Sequence, residues 1–364
     1  MKSTLLSGCV LGLTLSLAAC GGGGGGGGSG SGSSGYTFSI SDMSRGATTR
    51  SAPNMANAEE TAKALVSPGS DLQSDLTGSG LTVGGWDDYG SSYMLRARAN
   101  GVILTDSRGD PVATFNSGNM KFYSKDGIDF AVLADVQKPI DMDEIFDGVR
   151  LQGSATLKCV GWLGKLDYAS FGYWGLVIDN LQVRGDGVSL RGAFLAEELS
   201  GIFYDGRAAN YVAGLNNSLF TGIAAGMAEL YEYSGSEVKG TVIPLLGTAE
   251  LRITNASNAA LTLAFPNFYE FRGSVDIMTA GGHVSGSGGH VSGSFNQVTK
   301  LGSALPGNLP TISEFNSGYN YIFGQLYGDT QNNPTEAAGG WRLGYEGTTR
   351  EIFIGGAWGV KKKP

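Results

Sequence analysis

The chain has 364 residues, of which 60 are Gly, about 16 % where roughly 7 % is usual. Charged residues make up 16 % and hydrophobic residues 41 %, so the composition excludes a highly charged disordered chain and supplies a sizeable core. The net charge of −8 argues against binding to nucleic acid, because a phosphate backbone repels an acidic protein. Only two His residues occur, which excludes most catalytic schemes that depend on His.

The N-terminus has the pattern of an export signal. Lys2 precedes an apolar stretch over residues 5–17, which is too short to cross a bilayer because a spanning helix needs about 20 residues. Residues 17–20 (LAAC) then match a bacterial lipobox, in which cleavage follows Ala19 and the thiol of Cys20 receives a lipid. Gly21 in place of Asp favours the outer membrane over retention in the inner one. The alternative is an ordinary cleaved signal with a coincidental Cys.

A tract of Gly and Ser follows the lipobox. Residues 21–35 contain no other residue type, which predicts a disordered tether with an average reach of about 20 Å. Residues 36–80 are polar and partly disordered in this prediction, with one short helix over 54–66. The organisation predicted is therefore signal peptide (1–19), lipidated Cys and tether (20–35) and a polar segment (36–80), ahead of the folded head.

Antiparallel strands are predicted from residue 81 to residue 235. The dipeptides at 100–101 (NG) and 126–127 (DG) each separate two strand-like runs and favour a type I′ hairpin turn, which needs positive φ at both central residues. Residues 81–145 are predicted to form a small antiparallel region of about four strands, and residues 224–231 a helical turn. The aromatic run at 168–174 is predicted to pack in the core, with an interface role as the alternative.

Short alternating strands separated by glycine continue to the C-terminus. They predict a closed β-barrel over residues 236–364, because closure removes the exposed edges of a sheet. The predicted fold class is mainly all-β: a small antiparallel N-terminal β region followed by an antiparallel β-barrel.

Four segments of this region resemble the barrel domain of the transferrin-binding protein B-like surface lipoproteins. They are residues 247–253 (GTAELRI), 291–295 (VSGSF), 324–328 (GQLYG) with 336–341 (EAAGGW), and 354–359 (IGGAWG). The third is the most specific. The positions that match the family's signature are Gly324, Tyr327, Gly328, Glu336, Gly339, Gly340, Trp341, Gly356 and Trp358.

The resemblance implies an eight-stranded type of barrel on a surface lipoprotein that binds a macromolecule. Family members bind host transferrin, haemoglobin or haem, or complement factor H, and many reach the surface through an outer-membrane translocon. In physical terms Gly339 and Gly340 allow close backbone approach, Tyr327 and Trp341 are expected to fill the barrel ends, and Glu336 is expected to accept hydrogen bonds from loop amides. These positions are interpreted as structural rather than as a ligand site.

Both His residues lie in a tandem repeat, GGHVSGS, over residues 281–287 and 288–294. Two imidazoles on a loop, His283 and His290, are a candidate site for haem iron or a divalent metal. The alternative is a duplicated surface loop without a ligand. Haem is thus the one cofactor considered, and no other cofactor or metal is expected.

No enzyme motif is present: the sequence has no G-x-S-x-G, H-E-x-x-H or P-loop pattern. The expectation is a non-enzymatic, lipid-anchored outer-membrane protein, exposed at the cell surface, that binds transferrin or haemoglobin and cooperates with an outer-membrane transporter or translocon. A haem-binding haemophore and a factor H-binding or adhesion module are the alternatives.

Overall fold

The computed structural model describes residues 38–84, 92–146, 149–185, 187–278, 288–302 and 308–364. The predicted signal peptide, Ala19, Cys20, the Gly/Ser tether and His283 lie outside these residues. Within them the chain is mostly β-strand, as the sequence predicts.

The N-terminal part combines two helices with a small sheet. Its elements are β1 (Thr48–Arg50), α1 (Ala58–Leu65), α2 (Leu72–Thr77), β2 (Leu81–Gly84), β3 (Ser92–Arg98), β4 (Gly101–Thr105) and β5 (Pro111–Asn116). Strands β2 to β5 form a separate four-stranded antiparallel sheet. Helix α1 is shorter than the predicted 54–66, because the side chain of Asn57 caps it by accepting from the Glu60 amide at 2.9 Å.

An open sheet follows, with long strands paired antiparallel in chain order. Its strands are β6 (Met120–Lys125), β7 (Ile128–Phe146), β8 (Val149–Lys165), β9 (Ala169–Gly185) and β10 (Val188–Gly206), with β1 at its edge. The prediction of one small region through residue 145 was therefore wrong, since β6 and β7 belong to this larger sheet.

The two predicted hairpin turns have different outcomes. Asp126 and Gly127 have φ of 51° and 77°, which confirms the type I′ turn between β6 and β7. At the other hairpin Arg98 pairs with Gly101, so the central residues are Ala99 and Asn100. Only Asn100 has positive φ there, at 60°, and the predicted type I′ turn at 100–101 was wrong.

The C-terminal part is a closed eight-stranded antiparallel barrel, in agreement with the predicted fold. Its strands are β11 (Ser218–Ser234), β12 (Glu237–Asn255), β13 (Asn258–Ala264), β14 (Tyr269–Ile277), β15 (His290–Lys300), β16 (Tyr321–Gly328), β17 (Pro334–Glu346) and β18 (Arg350–Lys362). Each pairs with the next, and β18 pairs with β11 to close the ring. The barrel thus begins at Ser218, earlier than the predicted 236, and residues 224–231 form a strand rather than a helical turn.

Side chains fill the barrel interior. Trp341 and Trp358 are fully buried there, and the Trp341 ring lies 5.7 Å from that of Phe271 and 5.5 Å from that of Phe265. Eight strands leave just enough room inside a barrel for side chains. The interior is therefore a packed core.

The open sheet packs on the outside of the barrel. A short parallel pairing of residues 189–192 with 237–240 joins the two, and the core between them includes Trp162, Phe171 and Tyr173, all 0 % exposed. Gly359 of β18 meets this core, where an added Cβ would lie 2.2 Å from the Phe171 ring. The aromatic run is thus core, as predicted, while Tyr168 is half-buried.

The other face of the open sheet covers a third core, shared with the helices and the small sheet. Trp174 contacts Tyr93 there, with ring centroids 4.4 Å apart. Cys159 lies in the same core and is a free thiol, 1 % exposed.

Candidate functional site

One end of the barrel holds several of the residues that the sequence analysis selected, among them His290, Tyr327 and Glu336. In an up-and-down barrel every second connection falls at the same end. At one end of this barrel the connections β12–β13, β14–β15 and β16–β17 come together, at residues 256–257, 278–289 and 329–333. The segment 207–217, which leads from β10 into β11, reaches the same end. We call this the His290 end. The structure describes 278, 288 and 289 of the middle connection, so the first copy of the repeat and His283 are outside it.

His290 begins β15 and lies opposite Gln325 of β16. Both side chains project away from the barrel core, because their neighbours Val291 and Leu326 are buried inside it. His290 is half-buried, and its Nε2 atom is buried with no hydrogen-bond partner among the described residues. His290 therefore lies in a strand and not on the predicted loop, with Nε2 turned away from solvent.

Gln325 ties the segment after β10 to this end of the barrel. Its Nε2 donates to the carbonyl oxygens of Ala209 and Gly288, both at 3.1 Å, while its Oε1 is buried without a partner among the described residues. Asn210 adds two further hydrogen bonds at this end. Its side-chain oxygen accepts from the Gly288 backbone amide at 2.8 Å, and its backbone amide donates to the Gln331 carbonyl at 2.7 Å. Sequence reasoning missed both Gln325 and Asn210, and no local signal marks them because each bonds a segment distant in the chain.

Glu336 fastens the barrel to the open sheet. It is 1 % exposed and accepts from the backbone amides of Asp167 (2.7 Å) and Tyr168 (2.8 Å), which lie in the turn between β8 and β9. The expectation that Glu336 bonds loop amides is confirmed. Burial raises the pKa of Glu336 to about 7, although the two amides and the Lys361 ammonium act to lower it. Lys361 in turn pairs with the Asp167 carboxylate at 3.0 Å.

Tyr327 does not fill a barrel end as expected. It is 2 % exposed and belongs to the core between the barrel and the open sheet. Its side chain projects outward because the strand alternates and Leu326 occupies the interior. Burial, and then the charge of nearby Asp205, raise the pKa of the Tyr327 phenol.

The remaining signature positions have structural surroundings. Trp341 and Trp358 lie inside the barrel, and Trp358 Nε1 donates to the Gly340 carbonyl at 3.3 Å. At each signature glycine an added Cβ would come within 3.0 Å of another atom: Gly324, Gly328, Gly339, Gly340 and Gly356. Close packing therefore accounts for these glycines.

The described residues hold no group of three or more His, Cys, Asp or Glu side chains arranged for a metal ion. Over the same ranges, no helix is long and apolar enough to cross a membrane. No protein-family model matches the chain, and no curated protein sequence matches it.

Proposed function

We propose that this chain is a lipid-anchored outer-membrane protein, exposed at the cell surface, whose His290 end binds a macromolecule in iron or haem acquisition. The observation that carries the proposal is the order of its parts: a lipobox, a Gly/Ser tether and a head with a packed barrel. Binding rather than catalysis is proposed because the sequence holds no enzyme motif. The transferrin-binding protein B-like resemblance supports transferrin or haemoglobin as the ligand.

The attachment point of the tether supports the His290 end as the binding end. Phe38, the first described residue, donates its amide to Asp179 Oδ1 at 3.2 Å, and Lys158 Nζ donates to the Phe38 carbonyl at 3.0 Å. Asp179 is ten positions along β9 from its start at Ala169, which is about 33 Å of extended strand. The start of β9 lies at the His290 end, since Glu336 holds the adjoining turn. In a head tethered at Phe38, the His290 end is therefore the end farther from the attachment point.

Surface exposure is the first test. Intact cells would be treated with protease, with a periplasmic protein as the control for envelope integrity. Release of the head from intact cells supports the proposal. Complete protection, with digestion only after the outer membrane is opened, would contradict it.

Ligand capture is the second test. The chain from residue 20 with Cys20→Ser would be immobilised and exposed to serum and to red-cell lysate, and retained proteins identified by mass spectrometry. Retention of transferrin or haemoglobin supports the proposal, whereas factor H alone would favour immune evasion. Retention of none of the three would contradict capture of a host protein.

Charge substitutions at the two ends of the barrel locate the binding surface. Gln331 and Asn332 are exposed at the His290 end, and Thr348 and Thr349 are exposed at the opposite end. We expect Gln331→Arg with Asn332→Arg to weaken capture at least tenfold. The matched pair Thr348→Arg with Thr349→Arg is expected to leave capture unchanged. The reverse result would place the binding surface at the other end.

Haem binding is the second candidate, and it depends on the buried, unpartnered Nε2 of His290. A site for haem iron there requires the segment around residues 208–210 to open. Haemin titration followed by its Soret absorbance tests this. Unchanged affinity after His283→Ala with His290→Ala would exclude the two imidazoles as ligands.

A further inference from the structure

A cleft lies between helix α1, strand β1 and the ends of β6, β7 and β8. Its volume is about 260 Å³ and it opens to solvent on one side. Apolar side chains form much of its wall: Pro53, Ala64, Leu65, Phe122, Phe130 and Leu163. We call it the Lys165 cleft.

The apolar wall is part of the core that the open sheet shares with the helices. Phe122, Leu163 and Leu65 belong to this buried cluster and are 8 %, 3 % and 1 % exposed. The cleft thus presents a preformed apolar surface, which lowers the entropic cost of binding.

Three cations line this cleft: Arg50, Lys63 and Lys165. Arg50 forms an ion pair with Asp129, and Lys63 pairs with Glu59 at 2.7 Å and with Glu60 at 3.3 Å. Among the described residues, Lys165 is the one of the three cations without a carboxylate at ion-pair distance.

The Lys165 ammonium donates to the backbone carbonyl of Lys63 at 3.1 Å, and it has no carboxylate partner among the described residues. Burial, followed by the charge of Arg50, lowers its pKa. An ammonium so placed is poorly solvated and is repelled by the neighbouring guanidinium. An anion bound in the cleft would relieve both effects.

We propose that the Lys165 cleft binds a small organic monoanion, with its carboxylate on Lys165 and its apolar body against Phe122 and Leu163. The volume is slightly below the roughly 300 Å³ at which pockets for drug-sized ligands begin, so the ligand is smaller than a typical drug. This site does not depend on the macromolecular ligand proposed above.

The test uses benzoate as the probe, followed by NMR titration of the Cys20→Ser chain at pH 7 and low salt. Benzamide has the same shape without the charge, and inorganic phosphate has charge without an apolar body. We expect benzoate to bind and each comparison compound to bind at least tenfold more weakly. Failure of benzoate to bind, or equal binding of benzamide, would overturn the proposal. If phosphate bound as tightly as benzoate, the proposed contact between an apolar ligand body and the cleft wall would be overturned.

Three variants assign the binding to this cleft. Lys165→Met keeps the aliphatic stem and removes the charge, so we expect benzoate affinity to fall at least tenfold while the thermal midpoint stays close to the native one. Lys165→Arg keeps the charge and is expected to retain most of the affinity. Lys121→Met removes an exposed lysine of β6 outside the cleft and is the matched control. Unchanged benzoate affinity in a folded Lys165→Met protein would overturn the proposal.

Discussion

Replacing Glu336 by Gln tests the contact between the barrel and the open sheet. The carboxylate accepts two backbone amides, those of Asp167 and Tyr168, in a buried position. Gln has nearly the same shape as the protonated acid and does not titrate, but its NH2 group cannot accept from the second amide. The change with pH of the stability difference between the two proteins therefore reports what ionisation of Glu336 does.

The magnitude follows from the difference between the folded and ordinary pKa values of Glu336. The folded value is about 7 and the ordinary one is 4.5. The folded state therefore holds the proton more strongly than the unfolded state. The contribution of this group to the free energy of unfolding is fully present below pH 4.5 and is lost as the pH rises through about 7. At about 1.4 kcal/mol for each pH unit, the loss is about 3 kcal/mol.

The assay is urea unfolding followed by Trp fluorescence between pH 4 and pH 8, on the native chain and on Glu336→Gln. We expect the variant to be less stable than the native chain at pH 4 by about 1–3 kcal/mol, because one buried amide loses its acceptor. Between pH 4 and pH 8 the difference should shift by up to about 3 kcal/mol in favour of the variant. Glu250→Gln removes an exposed carboxylate that pairs with Arg252, and it should change stability by under about 1 kcal/mol. If the native chain instead gains stability over Glu336→Gln as the pH rises, the two amide bonds outweigh burial and the reasoning is refuted.

Three further predictions concern the packed cores. Trp358→Ala should lower the free energy of unfolding by about 3–5 kcal/mol, because it empties the barrel interior; a urea midpoint within error of the native one would contradict this. Asp179→Ala leaves the Lys158 ammonium without its buried carboxylate and should lower the free energy of unfolding by about 3–5 kcal/mol in the same assay. The control Arg252→Ala breaks an exposed ion pair and should cost at most about 1 kcal/mol. Equal losses in the two variants would contradict a stabilising role for the Lys158–Asp179 pair that holds Phe38. Burial raises the pKa of the Cys159 thiol, so this thiol should stay unreactive towards a thiol-specific dye at pH 8 until urea unfolds the chain; rapid labelling of the native protein would show that the core is open there.

Local pattern was sufficient where neighbouring residues decide the outcome. The Asp126–Gly127 turn followed from two adjacent residues that tolerate positive φ. Trp341 was expected to fill the barrel, and it lies in the barrel interior. The acceptor role of Glu336 was also predicted, but its partners in the turn at residues 167–168 were not.

Composition and alternation in the sequence by themselves determined a mainly β protein with a C-terminal barrel, because strand periodicity and glycine spacing are local patterns visible in the amino-acid sequence. Only the tertiary structure decided that residues 224–231 form a barrel strand, since their helix-prone run of Ala, Met and Leu is overridden by pairing with β12 and β18. It also decided that Tyr327 faces the open sheet and that Lys165 lies in a cleft with Arg50. Apart from the β11–β12 hairpin, these outcomes depend on contacts between segments more than a hundred residues apart, and no local pattern encodes such contacts.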